Sequence, residues 1–286
     1  MDDLPAVVRG RIETSLPGDV ATRLLAEIRP AVSLAHAPAG AGVRSRLGGG
    51  PLLEPDDDWP EYLDDPLAFL AVLDLTELAP LSSGIGVPAT GLLNFFFDAE
   101  QSVWGFDPTD RGAWRFIQAD LSLARERETP AERVASRRIG LTSARIPTFP
   151  GREEPIVEWI TANRVPRHKD DGYVELEDEL ARLVGLDSTQ PRHRVGGWPD
   201  LEQAPWQLEC QLASHGIYVG NPAGYADPRR AILEPGAADW VMLAQFDSDD
   251  EIGWMWGDVG KLYLAIRRQD LAAGAFDQAW MVLQCG

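Results

Sequence analysis

Cysteine is almost missing from the 286-residue chain, which carries only Cys210 and Cys285. Two thiols that far apart form neither a disulfide framework nor a CxxC metal or redox motif, so burial as reduced thiols is the expectation. Lysine occurs only at 169 and 261, while arginine is abundant, a usage that reads as coding bias and carries no function. Histidine is confined to 36, 168, 193 and 215, with no HxxxH pair and no His/Cys grouping at zinc spacing. Positive charge is scarce overall: 26 basic against 45 acidic side chains give a formal charge of -19. Such a surface repels a polyphosphate backbone and excludes nucleic acid as the expected partner, while it speeds encounter with a basic protein or a cation.

Long apolar runs are absent too. The run Leu67–Leu73 is far short of a membrane span. The opening Met-Asp-Asp-Leu-Pro has no basic region followed by an apolar core, so a cytoplasmic protein without a membrane anchor is expected. Gly-x-Ser-x-Gly and Ser-x-x-Lys are missing, and neither cysteine sits in a nucleophile context.

What is present is a globular composition, 44% hydrophobic, enough for a substantial core in one domain. Val20, Leu24, Leu25 and Ile28 follow Gly18-Asp19 at helical spacing, predicting an N-terminal helix over 18–29 that Pro30 stops. Strands are predicted at 31–36, 67–75, 92–97, 104–106, 114–117, 139–146, 241–246, 261–266 and 279–284. Helices are predicted over 153–164, 173–184 (closed by Gly185) and 207–214, with loops at 167–171 and 221–228. Residues 121–134 read as charged and solvated.

The two ends of the chain echo each other. Arg46-Leu47-Gly48-Gly49-Gly50-Pro51 resembles Arg194-Val195-Gly196-Gly197-Trp198-Pro199, Phe69–Asp74 resembles Met242–Asp247, and Gly91–Phe96 resembles Gly260–Ala265, in the same order. That order predicts an α+β fold of mainly antiparallel sheets, built from two related half-repeats packed together with flanking helices. Half one covers about 31–120, a linking helical segment 121–190, and half two 191–286, with a cleft where the halves meet.

The motifs Arg194-Val195-Gly196-Gly197-Trp198-Pro199-Asp200, Leu243-Ala244-Gln245-Phe246-Asp247-Ser248-Asp249 and Trp256-Gly257-Asp258-Val259-Gly260, in that order, resemble the YwqG-like family of bacterial proteins. The likeness runs from about Val32 to Gln284. It implies a cytoplasmic α+β protein of unknown function and supplies no catalytic residues.

Candidate site residues follow from chemistry alone. Asp247, Asp249 and Glu251 alternate, and Asp258 stands eleven residues after Asp247, reminiscent of a calcium loop. The match fails where Ile252 occupies the position of the loop glycine, so Asp247, Asp249 and Asp258 remain candidate ligands of a different divalent site, against the alternative of a solvated turn. Arg46 and Arg194, each two residues before a glycine pair, could fork onto a ligand carboxylate or onto Asp200 and Asp258. The glycine loops themselves match neither phosphate fingerprint and read first as tight turns. His193 abuts one of them and could titrate near neutrality. Trp59, Trp198, Trp254 and Trp256 lie on or beside loops, where they could line a cleft for a small ligand or simply close the core.

These features rank a non-catalytic ligand- or protein-binding module first, including one that neutralises a basic partner such as a toxin. A divalent-metal-dependent hydrolase using Asp247, Asp249 and Asp258 stands second. A structural or assembly protein is the third reading.

Overall fold

A computed structural model of the chain describes residues 4–161, 170–186 and 189–286. Ten of its strands join in one antiparallel sheet. In chain order they are β1 (Arg29–His36), β2 (Arg46–Leu47), β3 (Ala68–Asp74), β4 (Leu92–Phe97), β5 (Trp114–Ala119), β6 (Ile139–Thr148), β7 (His193–Gly196), β8 (Trp240–Asp247), β9 (Lys261–Arg267) and β10 (Trp280–Gln284). Across the sheet they run β10-β9-β8-β7-β1-β6-β2-β3-β4-β5. Where several sheets were expected, one large sheet forms, with two short two-stranded pairs beside it.

The sheet curls until its edges nearly meet. Trp114 of β5 stacks edge-on against Trp280 of β10 at 5.0 Å, and its Nε1–H donates to the Ala279 carbonyl at 3.0 Å. The gap is filled by 104–106, predicted as a strand but placed as a loop. Its Trp104 carbonyl accepts from the Leu283 N–H, and its Gly105 carbonyl from Trp280 Nε1–H. At Gly105, φ is +88° and a Cβ would stand 2.1 Å from the Met281 carbonyl oxygen, so only glycine lets this loop seal the open edges.

Burial on both faces explains why the strands read as unbroken apolar runs. Every residue of Leu92-Leu93-Asn94-Phe95-Phe96-Phe97 is buried. Phe95 meets Phe246 at 5.3 Å, joining β4 to β8 through the core. A second cluster, holding Val8, Ile12, Leu24, Tyr173, Leu176 and Leu180, packs the helices Ala6–Ser15, Gly18–Ala26 and Asp170–Leu183 together.

Several boundaries differ from expectation. The N-terminal helix ends at Ala26, not residue 29, and Arg29 and Pro30 already belong to β1, where Pro30 stops the helix and starts an extended segment. The helix Ala6–Ser15 had no predicted counterpart, because its apolar face is only Val8 and Ile12. The helix predicted over 153–164 is observed as Pro155–Thr161, and its expected end lies outside the described residues. Of the loop 167–171, residues 167–169 also lie outside them, while Asp170 and Asp171 open the next helix. The loop 221–228 contains a short helix, Pro222–Tyr225, because the Asn221 side chain caps it through the Ala223 N–H. The segment 121–190 contributes β6, one of the two central strands. No helix among the described residues is long and apolar enough to cross a membrane.

Arg46 pairs with Val72 and Leu47 with Ala71, while Arg194 pairs with Gln245 and Val195 with Ala244. The ladder between β3 and β4 slips between Phe69 and Ala71, and that between β8 and β9 between Met242 and Ala244. Gly48 and Gly49 take φ of +58° and +73°, Gly196 and Gly197 +71° and +80°.

Candidate functional site

Strand alternation places Val32, Leu34 and His36 on one face of β1. Leu34 pairs with His193 of β7, so the two histidines project from the same face, offset by one pleat at the rim of the sheet. β8 ends beside them at Asp247. The chain then doubles back, with Asp249 and Trp254 exchanging both backbone hydrogen bonds at 2.9 Å. That closed turn delivers the Asp249 carboxylate to the histidines.

Asp249 is only 2% exposed. Its Oδ2 accepts from His36 Nε2 at 2.7 Å and from His193 Nε2 at 3.1 Å, while Oδ1 accepts from the Glu251 N–H at 3.0 Å. Burial alone would raise its pKa, but the hydrogen bonds from His193 and His36 outweigh it and hold the carboxyl down at about 2. The His193 ring lies against Phe246 and Trp254, with centroids 6.2 and 6.1 Å away. Its Nδ1 accepts the Asp247 backbone N–H at 3.0 Å, so the ring proton sits on Nε2 and points at Asp249.

His36 is the member that reaches solvent. Its Nδ1 stands 3.6 Å from Glu251 Oε2. As an imidazolium, His36 is held between two carboxylates, Asp249 on one nitrogen and Glu251 on the other. It opens onto a cavity of about 410 Å³, whose wall includes Asp247, Asp249, Asp250, Glu251 and Met255 and, among the described residues, contains neither lysine nor arginine. Among the described residues, His36, His193 and Asp249 form the group of ligand-type side chains close enough to share a cation, their candidate atoms lying within 4.8 Å of one another.

The site predicted from the sequence is therefore brought together in part. His193 and Asp249 meet. Asp247 is adjacent, its Oδ2 accepting from the Arg192 N–H at 2.9 Å. Asp258 is exposed and stands outside the cluster of ligand-type groups; its carbonyl accepts the Gly286 N–H. Trp254 and Trp256 are buried behind the cluster with rings 5.2 Å apart, and Trp256 Nε1–H donates to the Asp247 carbonyl at 3.1 Å. Trp59 packs on Phe96 and donates to the Leu67 carbonyl. Trp198 is buried and donates to the Glu27 carbonyl at 2.7 Å. Trp59, Trp198 and Trp256 each spend the indole N–H on backbone, the arrangement of a core anchor.

The arginines are also held inside the fold. Arg46 is 1% exposed and donates to the Arg44 and Gly50 carbonyls, bracing its own glycine loop. Burial, then the Arg138 charge, brings it down to about 10. Arg194 faces away from His193 and donates to Gln245 Oε1 at 3.3 Å. Burial lowers it, against the opposing pull of Asp200. In both arginines Nε has no hydrogen-bond partner among the described residues. Nothing local in the sequence marks His36; only the alternation Val32, Leu34, His36, combined with the register to β7, reveals it.

A family model described as a domain of unknown function (DUF1963) matches residues 45–285. No curated protein matches the chain.

Proposed function

The chain belongs to the DUF1963 family, whose function is unknown, and we propose that it is a non-catalytic binding module that captures a cationic group of a partner in the His36 cleft. The observation that carries this reading is the cavity of about 410 Å³ walled by four carboxylates, with no lysine or arginine among the described residues of its wall. A guanidinium or ammonium group entering it meets Asp250 and Glu251 at the mouth and the exposed Met255 beside them. The net charge of -19 steers a basic protein toward it. A toxin-neutralising role is one form of this reading, and the YwqG-like subfamily and cytoplasmic location belong to the same proposal.

The test is calorimetric titration with a hexa-arginine peptide at low and high salt, on the wild type and on the double variant Asp250→Asn, Glu251→Gln. Salt-sensitive binding that weakens about tenfold or more in the double variant is expected. Equal binding by both proteins sinks the proposal.

The convergence of His36, His193 and Asp249 favours a second reading, a divalent cation that activates water. It carries a chemical condition. The Asp247 N–H on His193 Nδ1 leaves the proton on Nε2, the atom a cation needs. Metal binding would have to displace that proton and break the bond to Asp247, or use His36 with carboxylates alone. Thermal melting with zinc, manganese, calcium and magnesium tests it: a rise with one ion, lost in Asp249→Asn, supports a metal site, and unchanged melting with all four removes it.

We also read the two ends of the chain as related halves, the second supplying His193 and Asp249 to this cluster and the first His36. Support comes from the matching registers and matching slips around the two glycine loops. Further support comes from local bonding. The Asp74 N–H donates to Ser45 Oγ at 3.0 Å, as the Asp247 N–H does to His193 Nδ1. Asn94 bonds the Leu52 backbone as Tyr263 Oη bonds that of Asp200. In this alignment Ser45 holds the place of His193.

A further inference from the structure

Arg29 opens β1 and His36 closes it, so at about 3.3 Å per residue the two ends lie about 23 Å apart. At the Arg29 end, a cavity of about 420 Å³ is lined by both Arg29 and Arg268. Among the described residues no aspartate or glutamate is on its wall, in a chain with 45 acidic residues. Among the described residues neither guanidinium makes a hydrogen bond or an ion pair. The Arg29 guanidinium carbon instead sits over the Trp198 ring, 3.3 Å from its centroid. Stacking uses the face of the group and leaves its N–H edge available.

The pair repel each other, and the fold accepts that repulsion. Burial and then the Arg268 charge lower Arg29 to about 10, with Glu154 and Glu27 acting the other way from beyond ion-pair distance. Both arginines are cations at neutral pH. Two like charges converging on one cavity, each with unused donors, match a ligand that brings the acceptors. Among the described residues the rest of the wall is backbone and apolar. Gly196 and Gly197 present bare main chain, and at Gly196 a Cβ would stand 2.4 Å from Ile85, so the glycine is required for Ile85 to pack there. Pro30, Ile85, Met242 and Leu271 complete the apolar side. The volume is within the range of small-molecule sites.

We propose that this cavity binds a small organic anion, a phosphate or carboxylate head on an apolar body, with Arg29 and Arg268 gripping the head. The site is separate from the His36 cleft and does not depend on its reading.

The experiment is calorimetric titration of the full chain at low salt with phenyl phosphate, benzoate, inorganic phosphate and uncharged benzyl alcohol. Phenyl phosphate or benzoate is expected to bind saturably and to raise the melting temperature, with inorganic phosphate weaker and benzyl alcohol without effect. Which of the first two binds better distinguishes a phosphate from a carboxylate ligand. Arg268→Ala, at an exposed position, should fold normally and bind about tenfold more weakly, and Arg268→Lys should recover part of the loss. Arg229→Ala, which removes a surface arginine already paired with Asp227, should bind like the wild type. The proposal is overturned if neither organic anion binds saturably, if Arg268→Ala and Arg29→Gln both bind as the wild type does, or if Arg229→Ala weakens binding as much as Arg268→Ala.

Discussion

The backbone N–H of Asp247 donates to Nδ1 of His193 at 3.0 Å. One main-chain proton thereby fixes the tautomer of a buried imidazole, and with it the direction of the bond to Asp249. The acid at the end of β8 is thus significant for its amide as well as for its carboxylate.

Nitrogen NMR of the imidazoles should accordingly find neutral His193 as the Nε2–H tautomer. Adding zinc leaves that signature in place if the cluster is a proton network. Conversion to an Nδ1–H form with Nε2 metallated would support the cation reading instead.

Asp249 should show itself in acid unfolding. Its folded pKa of about 2 lies below the ordinary carboxylate value of about 3.9, so its contribution is complete above pH 4 and is lost as pH falls toward 2. Asp249→Asn should therefore be less stable than wild type at neutral pH, and the difference should vanish near pH 2. Denaturant titrations at a series of pH values measure it, and a constant difference down to pH 2 would contradict the assignment.

Glu209 predicts the opposite sign. It is buried in the helix Gln207–Ala213, Oε1 has no partner, and burial raises its pKa to about 8. Its stability is complete below the unfolded value of about 4.3 and is lost as pH rises through 8. Glu209→Gln should therefore leave stability unchanged at pH 4 and raise it by on the order of 1–3 kcal/mol at pH 8. Thermal melts at the two pH values decide this.

The glycine loops should resist substitution for reasons of space as well as backbone angle. A Cβ at Gly48 would stand 2.3 Å from the Arg137 carbonyl oxygen, and one at Gly197 2.5 Å from Thr148 Oγ1, both at positive φ. Gly48→Ala and Gly197→Ala should each cost at least about 1 kcal/mol, whereas Gly10→Ala, with open space in a helix, should not destabilise. Chemical denaturation of the three variants provides the comparison.

Most strands were legible in the sequence because their burial on both faces writes a continuous apolar run, as in Leu92–Phe97. Trp104–Phe106 misled for a related reason: aromatic residues look like a strand, yet these two rings cover a seam while Gly105 yields to the Met281 backbone. Short capped helices such as Pro222–Tyr225 were hidden because one Asn side chain, not a periodic face, sets them.

By itself, the sequence determined the acidic field, the antiparallel α+β class, the glycine loops and the choice of His193 and Asp249 as candidates, since all of these are properties of composition or of neighbours along the chain. The tertiary structure alone decided that His36, more than two hundred residues before Asp249, would share its carboxylate, that Asp258 would not, and that Arg29 and Arg268 would face one cavity with no acid among its described lining residues. The physical reason is that a strand specifies which of its side chains share a face, whereas register and sheet order, set by packing across the whole core, specify which strands those side chains meet.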